Sequence, residues 1–424
     1  MAREIILQKL PVGWSYNLLD NIAERCSGHT PSKSFPEYWN GGIKWISLAD
    51  SCRLDKGYVY ETDKEISLEG IKNSSAEVHP AETVVLSRDA GVGKSGVMAT
   101  PMAVSQHFIA WKCDNKEKLH SWYLYNWLQL NKEEFERQAV GSTIKTIGLP
   151  YFKKLRIAVP PFDEQKKIAQ ILSTWDKAIS VTEKLLTNSQ QQKKALMQQL
   201  LTGKKRLLDE NGVRFSGEWE YTIFGNLGDT YTGLTGKTKE DFGAGKPYIP
   251  YINIFKNSRI DIQNLEYVQV NDDERQSVVK YGDIFFTTSS ETPEEVGMSS
   301  VLLEEVSEVF LNSFCFGFRL NNFETLIPKY ARYLFRSEHV RRQISTLGQG
   351  VTRYNLSKRQ LIKLELKLPC VEEQQKIAAV LSAADAEIST LEKKLTCLRD
   401  EKKALMQQLL TGKRRVKVDE AVAE

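Results

Sequence analysis

Two glycine–lysine pairs have residue types that could hold a phosphate group. They are Gly236-Lys237-Thr238 and Gly245-Lys246. A phosphate loop needs another glycine five residues before the one that precedes the lysine, because backbone amides must surround the phosphate. At that place the chain has Tyr231. The sequence therefore argues against a nucleotide-binding loop.

A proline-containing tetrapeptide, Val159-Pro160-Pro161-Phe162, has the spacing of the Asn-Pro-Pro-aromatic motif of adenine methyltransferases. The polar first residue, which would hydrogen-bond the target amine, is replaced by Val159. The prolines instead predict the end of a strand and the start of a helix. We therefore expect no catalytic role for this segment.

Other catalytic or metal-binding patterns are missing from the sequence. G-x-G-x-x-G, H-E-x-x-H and a Ser/His/Asp grouping do not occur, and the five histidines are far apart. The six cysteines are scattered without a C-x-x-C pair, which favours reduced, buried thiols over a disulfide framework or a zinc site. These observations predict a protein that is not itself an enzyme and holds no metal.

Basic residues in loops rich in small residues are the strongest candidates for ligand contact, because the backbone can approach a phosphate there. These residues are Lys33, Arg88, Lys94, Lys145, Lys237, Lys239, Arg353 and Lys358. Each alone reads as a surface charge, but the set predicts contacts to DNA phosphates. Polar side chains that could read bases are His29, Gln106, Asn253, Ser289 and Tyr354. The formal net charge of +4 permits nucleic-acid binding without demanding it.

A long helix is predicted over residues 163–206. Its seam positions follow one another in steps of four and three, the pattern of a helix that lies along a partner helix. Asp163 is placed to cap the start, and Gly203 followed by three basic residues suits the end. At about 1.5 Å per residue, this helix would be roughly 55–60 Å long. The apolar seam residues are Ile168, Leu172, Trp175, Ile179, Leu186, Leu196 and Leu200.

The partner helix is predicted in the same chain, because residues 372–415 repeat the first stretch at an offset of 209 residues. The block KKALMQQLLTGK is identical at residues 193–204 and 402–413. Polar Thr182, Ser189 and Lys193 in the first copy would set the register of a specific pair. The two stretches therefore predict an intramolecular coiled coil. The second apolar seam comprises Ile377, Leu381, Ile388, Leu391, Leu395, Leu398, Leu405 and Leu409.

The repeat extends into the regions that precede the helices, where Trp14 matches Trp219, Gly28 matches Gly233 and Gly141 matches Gly350. These regions read as mixed and β-rich. Strands are predicted at residues 45–49, 83–87, 107–112, 248–255, 283–289 and 314–320, and helical stretches at 121–140 and 328–346. The predicted division is domain 1–162, helical spacer 163–206, domain 207–371, helical spacer 372–415 and a disordered tail 416–424.

Two diverged domains, each followed by a near-identical helix that opens with Pro-x-x-x-Glu-Gln-x-x-Ile-Ala, resemble the specificity subunit of Type I restriction–modification enzymes. The signature is Pro160–Ala169 in the first copy and Pro369–Ala378 in the second. In the second copy Cys370 replaces the usual second proline. The resemblance implies an α+β fold with a pseudo-two-fold repeat, in which two target recognition domains are separated by two long helices that form an antiparallel coiled coil.

The same resemblance implies the partners. Each domain would read one half of a split double-stranded DNA site, and the helices would fix the gap between the halves and dock two methyltransferase subunits. S-adenosylmethionine, ATP and magnesium would be bound by the methyltransferase and the restriction/motor subunits, not by this chain.

Two alternatives are a recognition subunit of a related Type IIB or IIG system and a structural coiled-coil scaffold without a DNA role. No stretch of about 18 apolar residues and no signal-peptide pattern occurs, so we expect a cytoplasmic protein without membrane contact.

Overall fold

The computed structural model describes residues 10–113 and 117–418, which divide into two compact units. Unit 1 combines Met1–Glu183 with Lys393–Glu424, and unit 2 is Lys184–Glu392. Each unit is thus built from one of the two β-rich domains and parts of both long helices. The predicted disordered tail lies outside the described residues from position 419 on, and most of the segment tested for a signal peptide lies outside them as well. The linear domain boundaries given above stay a prediction.

Unit 1 contains three sheets, with strand orders β1-β10, β2-β9-β6-β7-β4 and β5-β3-β8. Its strands are Ser15–Leu18 (β1), Glu24–Ser27 (β2), Trp39–Ile46 (β3), Tyr58–Val59 (β4), Lys64–Ile66 (β5), Val84–Ser87 (β6), Ser95–Met98 (β7), Ala103–Val104 (β8), Phe108–Lys112 (β9) and Arg156–Val159 (β10). Its short helices are Leu68–Lys72 (α1), Ser121–Leu130 (α2), Lys132–Gln138 (α3) and Leu149–Phe152 (α4). The main core forms where α2 packs on the five-stranded sheet, with Tyr123 and Leu128 against Val84 and Trp111.

Unit 2 contains four sheets, with strand orders β11-β22, β12-β19-β15-β17, β14-β13-β18 and β16-β21-β20. Its strands are Glu220–Ile223 (β11), Gly228–Thr232 (β12), Phe242–Ile249 (β13), Glu266–Val268 (β14), Ile284–Thr287 (β15), Ser289–Ser290 (β16), Ser299–Val301 (β17), Phe310–Leu311 (β18), Cys315–Leu320 (β19), Gly348–Gln349 (β20), Tyr354–Leu356 (β21) and Glu365–Leu368 (β22). Its short helices are Tyr251–Lys256 (α6), Pro328–Leu334 (α7), Glu338–Thr346 (α8) and Lys358–Leu361 (α9). As in unit 1, an aromatic helix, α7, packs on the larger sheet.

The long helices are Phe162–Leu200 (α5) and Val371–Leu409 (α10), of 39 residues each. In unit 1 they run antiparallel, because Asp176 accepts a hydrogen bond from Lys402 (2.6 Å) and Glu183 accepts one from Arg399 (2.6 Å). The predicted fold class, including the antiparallel coiled coil, is confirmed.

Unit 2 shows the same antiparallel order. Ser189 donates to Glu387 at 3.0 Å, and Lys193 forms an ion pair with Asp385. Two of the three polar seam residues of the first helix, Ser189 and Lys193, therefore have specific partners on the second helix, which fixes the register. Thr182 instead donates to the carbonyl of Ala178 in its own helix, at 2.8 Å. Every apolar residue predicted for the two seams is buried or half-buried.

Residues that the repeat aligns have equivalent surroundings in the two units. Trp14 and Trp219 are both buried. A Cβ on Gly28 would overlap the carbonyl oxygen of Val104, and a Cβ on Gly233 would overlap that of Asn312. Both glycines are thus needed because a neighbouring strand passes too close for any side chain.

The helix in the stretch 163–206 ends at Leu200, and Gly203, whose φ is 71°, follows its end as the sequence predicts. Three local expectations were wrong. Asp163 lies in the first turn and pairs with Lys166 instead of capping the helix. The strand over 248–255 stops where Pro250 begins the short helix α6. Three cysteines that we expected to be buried are exposed: Cys52, Cys370 and Cys397.

Candidate nucleic-acid interface

Three predicted contact residues of unit 1 are exposed in the loops that precede strands β3 and β9. The backbone carbonyl of His29 accepts a hydrogen bond from the indole of Trp45 (3.1 Å), and the residue is exposed. Gln106 is exposed and accepts from Thr30, which follows His29. Lys33 is exposed in the same loop. These side chains are accessible to a ligand.

The other basic residues predicted in unit 1 differ in how they are held. Arg88 donates to the carbonyl of Ile147 (3.2 Å), and Lys94 donates to the hydroxyl of Ser51 (2.9 Å). Both are half-buried and support neighbouring loops. Lys145 is exposed in the loop that ends at Thr146, beside Arg88. Of these three, Lys145 has the most freedom to meet a phosphate.

Four predicted residues of unit 2 come together at the three-stranded sheet β16-β21-β20. Ser289 pairs with Asn355, and the adjacent Ser290 pairs with Tyr354. Arg353 is exposed at the start of β21, and the Lys358 amine lies 5.7 Å from the ring centre of Phe316. Burial lowers the pKa of Lys358. These contacts place the exposed cation Arg353 beside the central strand β21, next to the hydroxyl of Ser289 on the edge strand β16.

Lys237 and Lys239 lie in a separate loop. Lys239 is exposed, but the side chain of Lys237 is largely buried and donates to Glu274 at 2.6 Å. This hydrogen bond, together with those from the Asn271 amide and the Gln276 side chain, lowers the pKa of Glu274 to about 2. The Lys237 amine is therefore already paired with Glu274 and is not free to contact a phosphate.

Asn253 was predicted to read a base, but the structure places it inside unit 2, where it is 3% exposed. Its amide nitrogen donates to the carbonyls of Asp261 (2.8 Å) and Asn264 (2.9 Å), and its oxygen accepts from the Asp261 amide (3.0 Å). The side chain fastens the loop after α6, so its hydrogen-bonding groups face protein rather than solvent.

The Glu-Gln pair of the repeated signature has a structural role that the sequence analysis missed. Gln165 donates to the carbonyls of Lys118 (3.0 Å) and Pro160 (2.9 Å), and accepts from the His120 amide (2.9 Å). Gln374 makes the same three bonds, donating to Thr325 (2.7 Å) and Pro369 (2.9 Å) and accepting from Ile327 (3.1 Å). Each glutamine thus fixes the start of a long helix to its own domain.

The glutamates of the signature are held by arginines that follow the opposite helix ends. Arg415 donates two hydrogen bonds of 2.7 Å to Glu164 within unit 1. Arg206 donates two bonds of 2.7 Å to Glu373 within unit 2. The repeat offset of 209 relates both pairs, so the identical blocks before Arg206 and Arg415 were the available signal. In unit 2 this Arg–Glu clamp joins the segment after the turn at Gly203 to the start of α10.

A sequence model described as the Type I restriction modification DNA specificity domain matches residues 11–188 and 217–397. The chain belongs to this family. The resemblance recognised from the repeated signature is thereby confirmed, and the chain is a Type I specificity subunit with two recognition domains.

Two named relatives of this family are similar to this chain over most of their length. The Type I restriction enzyme MjaVIII specificity subunit of Methanocaldococcus jannaschii is 25% identical over 390 residues, covering 85% of this chain and 87% of the relative. The EcoKI specificity subunit of Escherichia coli K12 is 22% identical over 410 residues, covering 91% and 85%. The crystal structure of the S subunit from M. genitalium has a TM-score of 0.56 at 16% identity and covers 95% of this chain and 98% of that one. This last likeness shows the shared fold.

Within the described residues, no helix is both long enough and apolar enough to cross a membrane.

Proposed function

We propose that this subunit selects the DNA site of a Type I restriction–modification complex, with each recognition domain reading one half of a split, asymmetric sequence. The proposal rests on the difference in internal sequence identity between the repeated helices and the repeated domains. The helices share an identical block of twelve residues, whereas the domains have diverged. Two different reading surfaces serve two different half-sites, and two equivalent helical surfaces serve two copies of one partner.

The partner is a methyltransferase subunit, one for each half of the repeat, with restriction/motor subunits joining through it. In this proposal the chain is not catalytic, and the partners bring S-adenosylmethionine, ATP and magnesium. The formal charge of +4 supports a division of labour in DNA binding. Since phosphate neutralisation dominates affinity, the isolated chain binds DNA weakly and the methyltransferase supplies much of the phosphate contact.

Binding measurements with and without methyltransferase test this division. We expect the isolated chain to bind its cognate duplex weakly at physiological salt and the complex to bind it far more tightly. Nanomolar binding by the chain alone would contradict the shared-contact idea. No gain on adding methyltransferase would favour the structural scaffold, whereas a requirement for a fused nuclease–methylase partner would favour the Type IIB or IIG alternative.

The coiled coil sets the number of base pairs between the half-sites. Inserting one heptad into both helices adds about 10 Å of helix, or about three base pairs of DNA. We expect the recognised gap to lengthen while both half-sites keep their sequence. A matched control inserts the same heptad into the tail beyond Arg415, and there the gap stays unchanged. An unchanged gap with the lengthened helices would contradict the ruler role.

A further inference from the structure

Strand β3 of unit 1 carries a three-residue bulge. Trp39 and Ile43 both lie opposite Ile66 of β5, so residues 40–42 loop out of the sheet. Pairing with β8 on the other side begins only at Trp45. The bulge therefore protrudes from a part of the strand that has a neighbour on one side alone.

Strand β13 of unit 2 has the same bulge at the matching place. Phe242 and Lys246 both lie opposite Val268 of β14, so residues 243–245 loop out. Pairing with β18 begins at Tyr248, again six residues after the first aromatic residue. The local sequences, WNGGIKW and FGAGKPY, do not reveal this equivalence.

The backbone of the two bulges agrees in detail. The second and fourth residues of each five-residue segment have positive φ, with Asn40 at 57° and Gly42 at 83°, and Gly243 at 109° and Gly245 at 108°. The flanking aromatic residues also form matching edge-on pairs, with ring centres 5.2 Å apart for Trp39–Trp45 and 5.4 Å apart for Phe242–Tyr248. A backbone shape kept while the side chains diverge is typical of designed features near functional sites.

The chemistry around the unit 1 bulge suits a polyanion. Lys33, Trp39, Asn40 and Lys64 line a cavity of about 280 Å³. Both lysines are exposed, and within the described residues neither amine has a hydrogen bond or an ion pair. Asn40 is exposed as well, and its amide could pair with a base edge, the contact that asparagine makes with adenine.

The side chains around the unit 2 bulge differ in type from those around the unit 1 bulge. Phe242 and Tyr267, on the adjacent strand β14, are 38% and 52% exposed. Lys246 is engaged by Glu308 at 3.3 Å. The apex residue, Ala244, is small and exposed. This surface offers apolar contact, such as with a thymine methyl group, rather than cationic contact.

We propose that these two bulges are the specificity elements that enter a DNA groove, one at each half-site. In unit 1, Lys33 and Lys64 contact the flanking phosphates while Asn40 reads a base edge. In unit 2, the apex at Ala244 enters the groove, and Phe242 and Tyr267 make apolar contacts. The inference rests on the proposed function, and it assigns residues that the sequence did not single out, apart from Lys33.

The test uses the complex of the full chain with its methyltransferase and a library of split sites with randomised half-sites. Asn40→Gly removes the amide but tolerates the positive φ. We expect it to relax base preference at one position of one half-site and to leave the other half-site unchanged. The pair Lys33→Ala and Lys64→Ala should weaken binding at least tenfold and lower the salt dependence by about two phosphate contacts, without changing the preferred bases.

Unit 2 is tested with Ala244→Glu, and Ala244→Gln is its uncharged control. We expect the glutamate to lower methylation at the half-site that Asn40→Gly leaves untouched, because it brings a negative charge to the groove. Lys72→Ala is the control for the lysine pair, since Lys72 is also exposed but lies in α1 and pairs with Glu69. Equal melting temperatures of all variants and wild type establish that folding is intact.

The outcomes separate this inference from the proposed function. An unchanged base preference in Asn40→Gly and unchanged methylation in Ala244→Glu, with a split site still methylated by the wild-type complex, would overturn the bulge assignment alone. The bulges would then serve only to prevent pairing at the sheet edges. A wild-type complex that methylates no split site would instead overturn the proposed function.

Discussion

Arg206 donates two hydrogen bonds of 2.7 Å to the carboxylate of Glu373, at the start of the second long helix. Glu373 is fully buried, and Arg206 is one-fifth exposed. The indole of Trp219 also donates to the same carboxylate, at 3.3 Å. This three-way contact ties together the segment after α5, the start of the second domain and the start of α10 within unit 2.

Removing one partner of this clamp leaves the other charge buried. We therefore predict that Arg206→Met lowers the free energy of unfolding by about 3 kcal/mol. Chemical denaturation of the isolated chain measures the loss. Lys166→Met is the control, because Lys166 pairs with Asp163 on the surface, where such pairs contribute less than about 1 kcal/mol. Equal effects of the two variants would contradict the structural role of the clamp.

Gln374 provides a second test, since its amide nitrogen donates to two carbonyl oxygens. Gln374→Glu places a carboxylate oxygen against those carbonyls, and we expect a loss of about 3 kcal/mol at pH 7. Lowering the pH should restore part of this loss, because a protonated carboxyl can donate one bond again. The adjacent Gln375 is exposed, so Gln375→Glu is a matched control without that effect. A Gln374→Glu chain as stable as wild type would show that these bonds contribute little.

Two leucines of α5 should differ clearly in how much stability is lost when each is replaced by alanine. Leu172 is fully buried, whereas Leu185 is 47% exposed. Leu172→Ala should cost about 3 kcal/mol because it leaves a cavity, and Leu185→Ala should cost about 0.5 kcal/mol or less. Unfolding curves in urea measure both. Comparable losses would mean that Leu185 faces a partner the seam does not explain.

The buried residue His79 should make the free energy of unfolding depend on pH. It is fully buried, and neither ring nitrogen has a hydrogen bond within the described residues. Burial, with a smaller contribution from Lys112, lowers the pKa of His79. The unfolded chain takes up a proton near pH 6.5, whereas the folded chain does so only at lower pH. Stability is therefore present above about pH 6.5 and falls as the pH drops below it.

His79 is therefore expected to lower the free energy of unfolding as the pH falls from 7 to 5.5. His79→Leu should reduce this dependence when unfolding is followed across the same range. His120, whose pKa is also lowered by burial, contributes in the same direction, so the double variant should be flatter still. A pH profile identical to wild type in both variants would contradict the explanation.

Features that recur in the sequence were the most predictable. The coiled coil followed from the spacing of residues such as Leu172 and Leu381, because the heptad pattern reports directly on a partner helix. Gly28 and Gly233 could be matched because a close strand leaves room for no other residue. The end of the first helix followed from Gly203, a local stop signal, whereas the bond from Arg206 to Glu373 was missed because it joins residues 167 positions apart.

The candidate interface was harder to predict because exposure depends on tertiary contacts. Asn253 and Lys237 have residue types suited to DNA, yet the loop after α6 and Glu274 occupy them. The bulges at Asn40 and Gly243 share only one glycine and the flanking aromatic residues, and the register and backbone of β3 and β13 are what make them equivalent. Side-chain type shows what a residue can bind, whereas the fold decides whether it is free to do so.

Single-molecule methylation sequencing tests the central claim most directly. The DNA would come from cells that express this chain together with the methyltransferase of the same system. We predict a split motif of two short, unequal halves around a fixed gap, with N6-methyladenine on both strands. A continuous motif, or none while both proteins are verified to be present, would contradict the proposal that the two domains read two half-sites.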